Sequence, residues 1–176
     1  TDEGSPGRDW NVATGMVIEG KAGFQIMGDW AKGEFTAAGK KPGVDYYCAA
    51  TPSNNGYLYN VDSFIFYKTS DPDKQEGQKL LAKLMMGKNF QKVFNLYKGS
   101  IPARLDVPMD EFDKCAKTSN ADIKTAGEKG GLVPSFAHGM AQGNTMKAAL
   151  QDVITEHFNS NMSSVDAANA LADSVL

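Results

Sequence analysis

Six residues combine side chains suited to binding a hydroxylated ring with positions in predicted loops, turns and strand ends: Trp30, Asn60, Asp62, Lys98, Arg104 and His138. The indole of Trp30 follows a Gly-Asp turn at the end of a predicted strand, where it can present its flat face to a cleft. The C–H face of a pyranose ring is apolar, whereas its edge carries hydroxyls that need amide, carboxylate, ammonium or imidazole partners. The set of residue types therefore matches what recognition of a sugar requires.

Each of these residues also has a structural interpretation, which the sequence alone leaves open. Asn60 and Asp62 can face solvent from one side of a strand, and Lys98 can cap the C-terminus of its helix. A loop histidine flanked by apolar and small residues, such as His138, is more often structural than functional. His157 lies on the predicted exposed side of an amphipathic helix, so we expect it at the surface.

The sequence lacks the motifs of common catalytic sites. It contains no nucleophile elbow, P-loop, dinucleotide fingerprint or His-Glu-x-x-His helix. Hydrolysis of a glycosidic bond needs two carboxylates in one cleft. Asp29 and Asp62 lie at predicted strand ends, but no pattern pairs them. A glycosidase therefore stays an alternative without a supporting motif, and we predict neither a metal site nor a cofactor.

Composition and charge narrow the class of protein. The 176 residues carry a net charge of −3, with acids and bases interspersed. The sequence has no block of Lys and Arg residues of the kind that binds nucleic acid. The apolar runs are short, Leu84–Met86 for example, so we expect no segment to span a bilayer. No signal-peptide pattern opens the sequence, and a mature or truncated chain would have lost one.

The two cysteines, Cys48 and Cys115, fit neither a zinc pattern nor a Cys-x-x-Cys motif. Two interpretations follow from the residues alone. The cysteines are buried free thiols, or they form a disulfide that closes a long loop in an oxidising compartment.

The elements that must position these residues form a helix-rich α/β pattern. Strands are predicted at 22–27, 44–49 and 57–67, and loops at 1–7 and 51–56. Helices are predicted at 10–18, 31–38, 72–86, 88–98, 109–127, 143–158 and 164–176. The pattern lacks the regular strand–helix alternation of a self-contained doubly wound domain, so we expect further strands upstream.

Helical periodicity predicts which side chains face inward. For the predicted helices at 72–86, 88–98, 143–158 and 164–176, the inward residues are, in turn, Leu80, Leu81, Leu84 and Met85; Phe90, Val93, Phe94 and Tyr97; Met146, Leu150, Val153, Ile154 and Phe158; and Val165, Ala168, Leu171 and Val175.

Five segments carry motifs that recur, in this order, in one family: Glu19–Trp30, Tyr59–Phe64, the helix after Asp71-Pro72, Lys98–Arg104 and Pro134–Gly139. Together they resemble the bacterial extracellular solute-binding proteins of family 1, the maltose-binding-protein-like family. The similarity is greatest to the periplasmic glucose- and mannose-binding proteins of ABC transporters. The sequence departs from that pattern at Gly15 and Gly23, where relatives commonly have alanine.

The resemblance implies a periplasmic-binding-protein type II fold, of which this chain would be the C-terminal half. Residues 1–60 and 109–176 would form part of the second lobe. Residues 61–108 would be a crossover segment that belongs to the first lobe. The missing N-terminal half of the same protein would complete the site, and the sugar would be trapped as the two lobes close.

The resemblance also implies roles for the candidate residues. Trp30 would stack on the sugar ring, with Trp10 as a second aromatic wall. The sugar hydroxyls would form hydrogen bonds with Asn60, Lys98 and His138, and Asp62 or Arg104 would lie close by.

The implied protein is a non-enzymatic, periplasmic component of a sugar ABC transporter. It would bind glucose or a related hexose without chemical conversion and deliver it to a permease in the inner membrane. Because the periplasm is oxidising, the resemblance favours a disulfide between Cys48 and Cys115.

Overall fold

The computed structural model describes residues 4–5, 7–52 and 56–175. Within these residues the chain forms α1 (Trp10–Ile18), α2 (Lys32–Ala37), β1 (Tyr57–Tyr59), α3 (Pro72–Met85), α4 (Lys88–Lys98), α5 (Lys114–Glu128), β2 (Leu132–Pro134), α6 (Asn144–Asn159) and α7 (Ser164–Asp173). A short 3-10 helix, Asp29–Ala31, leads into α2. The predicted helix-rich α/β fold with few strands is confirmed. The predicted loops at 1–7 and 51–56 lie partly outside the described residues.

Capping residues begin several helices where the sequence predicts them. The Asp71 carboxylate accepts hydrogen bonds from the N–H groups of Asp73 and Lys74 at 3.0 and 3.2 Å, next to Pro72 at the first helical position. At the other end of the following helix, Gly99 adopts a φ of +88°, a left-handed conformation that favours glycine. These local signals place both α3 and α4 close to their predicted boundaries.

The two strands pair in parallel, with Tyr57 opposite Leu132 and Tyr59 opposite Pro134. The N–H of Ser135 extends the ladder by donating to the carbonyl of Tyr59 at 2.8 Å. Both strands therefore end at the same edge of the sheet. In α/β proteins this carboxyl edge is the usual place for ligands.

Three predicted strands are wrong in extent or existence. Of the predicted strand 57–67, the structure forms only Tyr57–Tyr59 as a strand. Residues 22–27 form no strand, and in 44–49 only Tyr46 joins an isolated bridge, with Pro42. Alternating apolar residues favour an extended backbone, but a strand also needs a neighbour with which to share hydrogen bonds.

The buried centre of the molecule lies around the start of α5. Val107, Phe112 and Ala116 form an apolar cluster. Cys48 and Cys115 are joined by a disulfide, with their Cα atoms 5.7 Å apart, so the predicted pairing is confirmed. The bond fastens the loop after α2 to the first turn of α5.

A buried ion pair makes a second link between the same elements. The Lys32 ammonium lies 2.8 Å from Asp113 Oδ2, and only 6% of Lys32 is exposed. Burial opposes ionisation of Asp113, but hydrogen bonds from Lys32 and from the N–H of Ala116, together with the charge of Lys32, hold its pKa below the ordinary value. Nearby, the rings of Phe35 and Tyr46 pack 4.2 Å apart. The pKa of Tyr46 rises to about 12, through burial and then through the charge of Asp113.

The inward faces predicted for α3 and α4 are largely uncovered. Met85 is buried as predicted, whereas Leu80 is 60% exposed. Leu81 and Leu84 are exposed as well. The aromatic residues of α4 do share one face, but it lines a shallow open groove, and the helix buries Gln91 and Asn95 instead.

The last two helices, α6 and α7, pack on each other and bury little. Among the predicted inward residues, Ile154, Phe158, Val165 and Val175 are exposed, and the buried residue of α7 is Ala167. His157 is half-buried rather than at the surface, because its Nδ1 lies 2.9 Å from the carbonyl oxygen of Met162. Periodicity thus marks a face suited to burial without identifying what covers it. No helix in the described part of the chain has the length and apolar character needed to cross a membrane.

Candidate functional site

Five of the predicted site residues come together at the carboxyl edge of the two strands. Lys98 Nζ lies 2.5 Å from Asp62 Oδ2, and Asn60 donates to the other oxygen of that carboxylate at 3.0 Å. The rings of Trp30 and His138 pack edge to face, with centroids 5.1 Å apart and planes at 83°. His138 links the aromatic pair to the Lys98–Asp62 pair, because it also lies within electrostatic range of the Asp62 carboxylate. We call these five residues the polar cluster.

The strand ends and helix ends place each member of the cluster. Asn60 and Asp62 follow β1, and His138 lies in the turn that follows β2. Lys98 is the last residue of α4, and Trp30 belongs to the 3-10 helix before α2. The cluster is therefore assembled from four separate parts of the chain.

Three glycines allow the close approaches that the site needs. The Trp30 ring folds back over Gly28, where an added Cβ would lie only 2.1 Å from the indole. The start of α2 meets the end of α4 in the same way. A Cβ on Gly33 would lie 2.8 Å from the Lys98 carbonyl oxygen, and one on Gly99 would lie 2.6 Å from the backbone nitrogen of Gly33. These contacts hold the element that carries Trp30 against the end of α4.

Electrostatics keeps the Asp62 carboxyl ionised. The hydrogen bond from Lys98 is the largest cause that lowers the pKa of Asp62, and partial burial opposes it. The charge of Lys98 and the hydrogen bond from the Asn60 amide lower this pKa further. The cluster thus presents a charged donor–acceptor pair beside an aromatic surface.

A second carboxylate, Asp29, precedes Trp30 in the 3-10 helix and is half-buried, whereas Asp62 is exposed. Burial raises the pKa of Asp29, while the N–H of Ile101 and the charges of Lys32 and Lys98 oppose the rise. The Ile101 N–H donates to Asp29 Oδ2 at 2.9 Å. This bond ties the loop after α4 to the 3-10 helix.

The two remaining predicted site residues, Trp10 and Arg104, make contacts of their own. The Trp10 carbonyl accepts hydrogen bonds from Thr14 Oγ1 at 3.0 Å and from Gln25 Nε2 at 3.1 Å. The Arg104 guanidinium donates two hydrogen bonds of 2.8 Å to the Asp106 carboxylate, and these raise the pKa of Arg104. It donates a third, of 3.0 Å, to the backbone carbonyl of Met86, the C-cap residue of α3. Across the described residues, no hydrogen bond, ion pair or ring contact joins either of them to the cluster. Their roles in binding stay predictions.

Sequence reasoning missed Ser135, whose side chain is part of the site's support. Only 2% of Ser135 is exposed, and its Oγ lies 2.6 Å from Nδ1 of His138. A signal was available, because the two residues are three positions apart in a short loop bounded by Pro134 and Gly139. That spacing is what a turn brings together. The described part of the chain contains no group of three or more His, Cys, Asp or Glu side chains placed to hold a metal ion.

Comparison with known proteins gives the site its context. Residues 4–149 match the family described as bacterial extracellular solute-binding protein. A probable sugar-binding periplasmic protein of Brucella suis biovar 1 (strain 1330) is 49% identical over 175 residues, which are 99% of this chain and 41% of the relative. One of the same name from Rhizobium meliloti (strain 1021) is 45% identical, over 99% of this chain and 42% of the relative.

An uncharacterized ABC transporter extracellular-binding protein of Pyrococcus horikoshii is 34% identical, over 96% of this chain and 38% of the relative. The chain spans about two fifths of the length of these curated relatives. The periplasmic localisation predicted from the resemblance is confirmed. The chain belongs to the bacterial extracellular solute-binding protein family.

Proposed function

We propose that this chain is part of the substrate-binding component of a sugar ABC transporter and that it binds glucose or a related hexose without converting it. The observation that carries the proposal is the polar cluster, in which Trp30 and His138 stand beside the Lys98–Asp62 pair at the carboxyl edge of the strands. The names of the relatives from Brucella and Rhizobium, which are called probable sugar-binding proteins, support it.

The chemistry of the cluster suits a hydroxylated ring. A sugar hydroxyl both donates and accepts hydrogen bonds, and the cluster offers an ammonium donor, a carboxylate acceptor and an amide that can do both. The Trp30 indole is half-buried and provides the apolar surface for the C–H face. The perpendicular ring of His138 would form a side wall that limits how the sugar lies on the indole.

The hexose preference comes from the resemblance to glucose- and mannose-binding members of the family. A relative from Haloferax volcanii, 28% identical over 94% of this chain and 36% of its own length, is named a xylose/arabinose-binding protein. Pentoses are therefore the competing ligands that an experiment must include. The permease and the remaining half of the same protein are the proposed partners.

The proposed division into lobes has support in the exposure of the crossover segment. We propose that residues 61–108 complete a first lobe, while 1–60 and 109–176 belong to the second. Just after β1, Ile65 is 77% exposed and Tyr67 is 81% exposed. Residues 61–69 form neither helix nor strand. Exposed apolar side chains in such a segment are suited to pairing with a sheet from the N-terminal half.

A glycosidase is the alternative, and one observation favours it. The pKa of Asp29 is raised and that of Asp62 is lowered, while Lys98 acts on both. A pair of carboxyls with diverging pKa values is typical of an acid and its partner in catalysis. Both carboxylates already have protein donors, however, from Ile101 and Lys98. We therefore propose binding alone. Turnover of a chromogenic glycoside by the complete protein would support the alternative.

The test is calorimetric titration of the full-length protein that carries this chain. Glucose, mannose and xylose are the ligands, and a linear sugar alcohol is the negative control. Trp30→Ala should weaken hexose binding about tenfold or more, because the stacking surface is lost. Phe24→Ala is the matched control, since Phe24 is 89% exposed and outside the cluster. If the intact protein binds none of these sugars, the proposed function is wrong.

A further inference from the structure

Within the described residues, Ser135 contacts the polar cluster through His138. Its buried Oγ lies 2.6 Å from His138 Nδ1. Backbone hydrogen bonds hold Ser135 on both sides. Its N–H donates to the carbonyl of Tyr59 at 2.8 Å, and its carbonyl accepts from the N–H of Met140 at 2.9 Å. Ser135 is therefore a fixed point at the end of β2, against which the imidazole is set.

The hydrogen bond between these two side chains has a direction that burial decides. A buried hydroxyl hydrogen needs an acceptor, and within the described residues the side-chain partner of Ser135 Oγ is His138 Nδ1. The hydroxyl therefore donates to Nδ1. A neutral imidazole that accepts at Nδ1 carries its hydrogen on Nε2. The reverse arrangement, with Nδ1–H donating to Oγ, would leave the buried hydroxyl hydrogen without a partner.

Two further contacts keep the imidazole in this orientation. The Trp30 ring packs against it at 5.1 Å from the side. The turn that carries it is closed by a hydrogen bond of 3.0 Å from the N–H of Gly139 to the carbonyl of Phe136, with Gly139 at a φ of +74°. The ring is thus held by a hydroxyl at one nitrogen and by an indole beside it.

We propose that Ser135 is a positioning residue that fixes the tautomer of His138, so that His138 offers an Nε2–H donor to the ligand. This inference rests on the proposed sugar-binding function. A donor at this position recognises an oxygen lone pair, either of a hydroxyl or of the ring oxygen. It complements Asp62, which can only accept hydrogen bonds when ionised.

The first test measures the tautomer directly. Nitrogen NMR of the histidine side chains distinguishes the two tautomers at neutral pH, in the full-length protein without sugar, with His138→Gln used to assign the signals. We expect hydrogen on Nε2 in the wild type and a mixture of tautomers in Ser135→Ala. Hydrogen on Nδ1 in the wild type would overturn the proposal, even if Ser135→Ala does not fold. A single unchanged tautomer in Ser135→Ala would overturn it whatever the affinity.

The second test measures hexose affinity by calorimetry. Ser135→Ala should weaken binding about fivefold to tenfold, the effect of one misplaced hydrogen bond. Ser119→Ala is the matched control, because it removes another 2.6 Å side-chain hydrogen bond, to Tyr57 of β1, without touching the cluster. We expect it to leave the affinity unchanged. Unchanged affinity in Ser135→Ala would also overturn the proposal.

The two tests separate failure of this inference from failure of the proposed function. If the wild type binds no sugar but loses its single tautomer in Ser135→Ala, the sugar-binding function is wrong and the Ser135–His138 coupling stands without its ligand. If the wild type binds hexose and Ser135→Ala changes neither tautomer nor affinity, the function stands and Ser135 has no positioning role.

Discussion

Two regions of this chain contain similar apolar side chains and cover them very differently. In the anchored region, which comprises α2, Cys48 and residues 107–128, Phe112 is 4% exposed and Ala116 is fully buried. In the open region, residues 61–84, Ile65 is 77% exposed and Leu80 is 60% exposed. The comparison shows that apolar type and periodicity do not determine burial. Burial also requires a packing partner. In the anchored region, α5 provides that partner and the disulfide holds it in place.

The largest expected effect comes from removing the disulfide of the anchored region. Replacing Cys48 and Cys115 by serine frees a loop with a sequence separation of 67 residues. Chain entropy predicts a loss of about 4 kcal/mol in the free energy of unfolding, measured by urea denaturation. A reducing agent should destabilise the wild type by a similar amount and leave the double variant unchanged. Equal stability of the two proteins would mean that packing alone holds this region.

Breaking the buried ion pair should have the next largest effect. Lys32→Met keeps the apolar stem but removes the ammonium that Asp113 binds at 2.8 Å. We expect a loss of about 2 kcal/mol in the free energy of unfolding, at the lower end for a buried pair because the Asp113 side chain is 34% exposed. Lys92→Met is the matched control. Its pair with Glu111 is more exposed and should contribute less than about 1 kcal/mol.

The pH dependence of the same variant checks the cause. The pKa of Asp113 is lower in the folded chain than in the unfolded chain, where an aspartate has a pKa of about 3.9. Its contribution to stability is therefore complete above that value and is lost as the pH falls through the folded pKa. The stability difference between the wild type and Lys32→Met should shrink below about pH 4. A difference that stays constant on acidification would exclude the ion pair as its source.

Sequence reasoning succeeded where the signal is local and failed where it depends on a partner. Asp71-Pro72 predicts the start of α3 because the cap and the ring act within one turn. The strand predicted at 57–67 required a neighbour that β2 supplies for only three residues.

The candidate site shows the same division. The family resemblance identified the polar cluster, and the structure brings its five members together. Ser135 could not be recognised in that way, since its importance depends on the turn that returns His138 over it. The resemblance predicts Arg104 close to the sugar, but in the structure its guanidinium binds the carboxylate of Asp106. Helical or strand periodicity does not predict this contact.

An apolar residue of the open region should behave differently in this chain and in the proposed longer protein that contains it. Leu84 is 61% exposed in this chain, so Leu84→Ser should change the unfolding free energy of the 176-residue chain by less than about 0.5 kcal/mol. If the proposed N-terminal half covers this face, the same change should lower the unfolding free energy of the longer protein by about 2 kcal/mol. Val165→Ser, at an exposed residue of α7, is the control outside the open region. Equal effects of Leu84→Ser in both forms would show that the face stays uncovered.

The smallest expected effect concerns Arg104, at the boundary between the two regions. Its guanidinium joins the end of α3, through the carbonyl of Met86, to Asp106 in the loop after α4. The pKa of Asp106 is lowered by its hydrogen bond with Arg104 and then by that with Lys88, so two cations hold this carboxylate. Arg104→Gln should therefore leave hexose affinity within about twofold of the wild type.

Lys98→Gln is the comparison for that variant, because Lys98 contacts Asp62 within the polar cluster. We expect it to weaken hexose binding about tenfold, since a charged hydrogen bond to the ligand or to Asp62 is lost. Calorimetry on the full-length protein measures both. A loss in Arg104→Gln as large as that in Lys98→Gln would mean that the ligand draws Arg104 away from Asp106. In that case, closure of the lobes would extend the site beyond the five residues that this chain assembles by itself.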